Sequence, residues 1–164
     1  MDRDTLVAVM ESVRQRLLDS LAAIEKSGQD PARVLSWRPA PGRAHIAWQA
    51  MHCAATHDKY LHVMIKGTSP RDPDLVAAFG GGSVPADDNI PDLPCIREAL
   101  AVNFKAFKDY LLSLSPADMS RQVGPPDRRR TIAESAILMA WHEAHHQGQI
   151  HLTWNLYRQA HGLI

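Results

Sequence analysis

Between residues 4 and 26 the apolar side chains Leu6, Val9, Met10, Val13, Leu17, Leu21 and Ile24 recur at regular intervals. Spacings of three and four put them on one face of an α-helix. The pattern returns three times. Residues 43–66 read as a second helix ending at Gly67. Asp92 as cap and Pro94 in the first turn open a third, along which Ile96, Leu100, Phe104, Phe107, Leu111 and Leu114 keep helical spacing. Thr131-Ile132-Ala133-Glu134 has the form of a capping box, and an unbroken helical pattern follows to about residue 160. Four amphipathic stripes and no convincing strand leave one economical solution, an all-α four-helix bundle in which the stripes cover one another.

The segments between the stripes are full of breakers. Gly28 suits a left-handed helix cap, and two prolines make Trp37-Arg38-Pro39-Ala40-Pro41-Gly42 a structured loop. Residues 68–91 hold Pro70, Pro73, Pro85 and Pro91 with Gly80-Gly81-Gly82, which leaves room for at most a short turn of helix around Leu75 to Phe79. So long a connection between the second and third helices is often functional, and it is expected to lie over a site as a lid. At 164 residues the chain is expected to be a single domain, 1–164.

Composition narrows the function. Apolar residues are 45% and charged residues 22%, ordinary for a globular protein. The 18 Lys and Arg balance the 18 Asp and Glu, so no bulk field draws the protein to nucleic acid or an anionic membrane. Arg128-Arg129-Arg130 reads as a solvated loop, too short for a nucleic-acid footprint. Cys53 and Cys95 form no metal or redox motif and are each expected to be small buried residues. With no 18-residue apolar run and no signal-like N-terminus, a cytoplasmic location is expected.

Nine histidines stand out. With His142 placed at 0° on a wheel of roughly 100° per residue, His146 falls at roughly 40° and Gln149 at roughly −20°, so all three are expected to point inward. Two histidines at i and i+4 can converge on one ion, although a pair of hydrogen-bonded core histidines gives the same spacing. His52 occupies the inward face of the second helix and supplies a third ligand. His45 lies roughly 10 Å farther along that stripe, at the expected mouth of the pocket. His145 flanks the inward stripe, and His57, His62, His151 and His161 are expected at the surface or rim.

The letters His142-Glu143-Ala144-His145-His146 also match the zincin string, in which the glutamate acts as general base. No strand is available to bind an extended peptide, which argues against a protease. Glu143 is nevertheless the first candidate for a base, with His145 the second.

At these residues the sequence resembles the DinB/YfiT-like superfamily. The likeness lies in Trp37-Arg38-Pro39, in His45-Ile46-Ala47-Trp48-Gln49-Ala50-Met51-His52, and in Trp141-His142-Glu143-Ala144-His145-His146-Gln147-Gly148-Gln149-Ile150. It implies a four-helix bundle with a divalent metal, zinc or nickel, on His52, His142 and His146, water or substrate completing the shell, and Gln149 near the ligands. Where the family often has an acidic residue soon after the second-helix histidine, this chain has Thr56-His57-Asp58. Relatives are similar to metal-dependent hydrolases and to transferases or isomerases that use a low-molecular-weight thiol. The implied partner is thus a small molecule, alternatively bound without catalysis in a stress-response protein. A homodimer is the commonest assembly for such a chain.

Overall fold

The computed structural model describes residues 2–164. Asp2 caps α1 (Arg3–Glu25), its carboxylate accepting the Thr5 N–H. A six-residue α2 (Pro31–Ser36), capped by Asp30, precedes the proline loop; one and a half turns are too short to show a period in the sequence. α3 (Ile46–Lys59) starts three residues later than its apolar pattern, because His45 takes the cap position. Its last stretch, Tyr60–Ile65, widens to a π-helix before Gly67 turns the chain at φ +69°.

The long connection holds α4 (Pro73–Phe79), capped by Asp72. Its seven residues agree with the short turn expected there. α5 (Leu93–Ser113) begins at the Asp92 cap, and Ser115 opens a single turn, α6 (Pro116–Met119). One small departure from an all-helical chain follows: β1 (Gln122–Val123) pairs antiparallel with β2 (Arg130–Thr131), so the basic run sits in a hairpin. The expected capping box of Thr131 and Glu134 then starts α7 (Ile132–Ala160).

α1 and α3 each pack against both α5 and α7, which makes the two pairs the diagonals of the bundle. α2 and α4 cover further flanks of α3, and α3 is therefore buried on nearly every side from Ile46 to Asp58. Asp58, on the side of α3 away from His52, accepts the Arg71 and Asp72 N–H groups and ties the long connection down. The core divides into two apolar clusters. One is built around Leu17, Leu21, Ile46, Ile96, Ile150 and Tyr157, the other around Met10, Leu61, Phe107, Leu111, Ile132 and Met139. Arg14, His57 and Glu143, all buried, lie on helix positions between the two. No helix among the described residues is long and apolar enough to cross a membrane.

Candidate metal centre

Three histidines meet where α3 packs on α7. His52 comes from the middle of α3, and His142 and His146 are one turn apart on α7; one ring nitrogen of each lies within 4.8 Å of the others. His52 Nε2 is 3.1 Å from His142 Nε2, and the ring centroids stand 4.6–4.9 Å apart.

Neighbouring groups fix which nitrogens face the centre. His52 Nδ1–H donates to the Phe79 carbonyl at 2.6 Å, and His146 Nδ1–H donates to Gln49 Oε1 at 3.2 Å. Each Nε2 is left as a bare lone pair. Trp48 stacks on His52 at 4.7 Å with 10° between the planes, which holds the ring orientation. Burial, the first cause, pushes His142 down to about 3, and the neighbouring rings of His146 and His52 push the same way. His146 is lowered to about 4 by burial and then by His52, and burial lowers His52 despite the Phe79 carbonyl. All three are neutral imidazoles at neutral pH.

Bare lone pairs 3.1 Å apart repel one another unless a proton or a cation lies between them, and His142 can supply one proton at most. A divalent cation accepts all three pairs at once. Three neutral nitrogens with the fourth direction left to a small molecule form the ligand set of an open zinc site, so these residues fit such an ion. A pocket of about 220 Å³ opens beside His52 and His142 and continues between Lys59, Tyr60, Arg128 and Arg130. The long connection contributes Gly81 to its wall and the Phe79 carbonyl to the histidine, and so borders the site.

Several expectations need correction. Glu143 does not join the histidine cluster. It is buried, and Arg14 Nε and Nη2 hold its two oxygens at 2.5 and 2.9 Å. His57, expected at the surface, is 1% exposed, donates to the Cys53 carbonyl, and stands 3.7 Å from Glu143. Gln149 is half-buried and donates to His145, an exposed ring stacked on Trp141, while Gln49 is the glutamine that meets a histidine of the cluster. His45 is not at a pocket mouth; it is fully buried, capping α3 through Nδ1 and donating to the Ala86 carbonyl through Nε2. Cys53 is buried as expected, but Cys95 is exposed in the first turn of α5.

The Arg14–Glu143 pair did carry a signal. Arg14 falls in step with Met10, Leu17 and Leu21, and Glu143 with Met139, Ile150 and Trp154, so each is a charged residue inside an apolar stripe. Two such interruptions on different helices are what a buried ion pair requires.

Comparison with known proteins agrees with this architecture. No curated protein matches the chain. Among solved structures, a conserved protein of locus from Enterococcus faecalis is similar with a TM-score of 0.66, over 93% of this chain and 95% of its own, at 16% sequence identity. At that identity the likeness speaks for the fold alone. The model of the DinB superfamily matches residues 9–150, which take in α3, α5, most of α1 and α7, and the three clustered histidines. The chain belongs to the DinB superfamily.

Proposed function

We propose that this protein is a metal-dependent enzyme acting on a small molecule, either a hydrolase or a thiol-dependent transferase or isomerase. His52, His142 and His146 hold its divalent ion, zinc or nickel. The convergence of three neutral imidazole nitrogens, two of them on rings that line a pocket, is the observation that carries the reading. An ion bound there lowers the pKa of a bound water or thiol and polarises a carbonyl.

The chain's own residues prepare the site. The Phe79 carbonyl and Gln49 set the tautomers of His52 and His146, and Trp48 covers one face of His52. Thr56 and Tyr60 bring hydroxyls to the pocket wall, and Lys59 brings an ammonium. Glu143 is engaged by Arg14 on another side of α7, so it does not serve as a zincin-type base, and a two-residue hairpin offers no edge for an extended peptide.

The test is a panel of ester, amide and thiol-transfer substrates assayed with zinc-loaded and nickel-loaded protein. Turnover that disappears on chelation and in His146→Ala supports the enzyme. Saturable metal binding with no rate enhancement on any of them replaces it with a non-catalytic metal- or small-ligand-binding protein.

A further inference from the structure

The chain as a whole is electrically balanced, yet the pocket beside the histidines is not. Lys59 from the end of α3 and Arg128 and Arg130 from the hairpin line it, and neither Asp nor Glu does. Neither Lys59 nor Arg130 makes an ion pair among the described residues, so no carboxylate of the chain neutralises either charge. Arg128 meets only the adjacent Asp127, at 3.3 Å between side chains 74% and 70% exposed, a contact that water screens almost completely.

Arg130 carries the sharpest mark. Its Nε is buried without a hydrogen-bond partner. The Arg130 side chain lines the pocket with no hydrogen bond to the protein among the described residues, so its terminal N–H groups are left for an acceptor there. The guanidinium fork matches the two oxygens of a carboxylate or a phosphate, and Lys59 adds a point charge on the same pocket. At about 220 Å³ the space is below the roughly 300–1,000 Å³ of drug-sized sites, so it suits a small acid.

We propose that this pocket selects a small molecule through an oxyanion group, a carboxylate or a phosphate, held by Arg130 and Lys59 with Arg128 at the rim. The anion sits at the hairpin side and the remainder of the molecule extends toward His52 and His142. The assignment deepens the function proposed above and depends on the same site, but the anion contacts belong to the protein and do not need the ion.

Calorimetric titration of glutarate and of inorganic phosphate into metal-free and zinc-loaded protein tests it, with glutaramide as the uncharged control. The expected result is one saturable site for at least one anion in both forms and none for glutaramide. Arg130→Gln and Lys59→Gln should each weaken binding about tenfold or more. Arg130→Lys should restore part of the loss, and Arg97→Gln, in a surface pair with Glu25, should change nothing. Circular dichroism and thermal melts keep loss of fold apart from loss of contact. The relative affinities of glutarate and phosphate identify which oxyanion fits. Absence of saturable binding of either anion, equal binding of glutaramide, or unaltered binding in folded Arg130→Gln and Lys59→Gln overturns the inference. Anion binding without metal uptake leaves it standing and removes the metal reading; metal uptake without anion binding does the reverse.

Discussion

At the scale of single residues, the centre depends on partners that turn His52 and His146 the right way. An imidazole whose outer nitrogen is free can flip or change tautomer, and the lone pair that should face the ion is then absent part of the time. Gln49 performs this service for His146 through one hydrogen bond at 3.2 Å. Gln49→Leu should keep the fold, because leucine is comparable in size and the site is buried, while lowering zinc affinity by about 10–100-fold in a competition titration against a chromophoric chelator. Unchanged affinity would mean that the ring is held by packing alone. The three histidines themselves were legible in the sequence, since spacing along α7 and the inward stripe of the second helix select them. Gln49 was not, because an amide on an otherwise apolar helix becomes a histidine partner only once α3 and α7 are placed side by side.

The elements show why some side chains were misplaced. The sequence reading centred the buried face of α7 on His142. The residues that are actually buried, from Ser135 and Thr153 through Ile150 to Ala140, centre roughly 80° farther round the helix. His142 is thus at the edge of the stripe, Gln149 falls outside it, and Glu143 lands in its middle. Because its Arg14 partner is equally buried, Glu143→Gln strands a guanidinium in the core and should cost about 3–5 kcal/mol in urea unfolding. If Glu143 were instead the general base, the same variant would lose turnover with stability intact. The end of α4 has its own constraint. A Cβ on Gly80 would lie 2.4 Å from the Val76 carbonyl oxygen. Gly80→Ala should therefore displace the backbone that presents the Phe79 carbonyl to His52, and weaken zinc binding several-fold in the same titration, whereas Gly81→Ala, with open space around it, should not.

Over the whole molecule, two apolar clusters flank a polar layer to which all four long helices contribute. Arg14 comes from α1, His57 from α3, Glu143 from α7, and the Leu100 carbonyl of α5 accepts from Arg14. The four-stripe pattern made the bundle readable, and a charged residue inside an apolar stripe marks Arg14 and Glu143, but the layer forms between residues 43 or more positions apart, so no local pattern says which of them meet. It also shapes the pH response. Burial lowers His57 to about 4, and His45, His52, His142 and His146 are lowered by burial as well. Each stays neutral in the folded chain while its unfolded counterpart takes a proton near 6.5. The unfolded state binds more protons in that window, so metal-free protein should be most stable above pH about 6.5 and lose stability steadily toward pH about 4. Chemical unfolding across that range would reveal a flat profile if these rings were not neutral and buried.

The central claim concerns the ion. Elemental analysis of protein purified without a metal-affinity tag, beside His142→Ala prepared in the same way, tests it most directly. Near-stoichiometric zinc or nickel in the parent and its loss in a folded variant is the predicted result. No metal in either, with stability unchanged between them, would contradict the account and return His52, His142 and His146 to the role of hydrogen-bonded core residues.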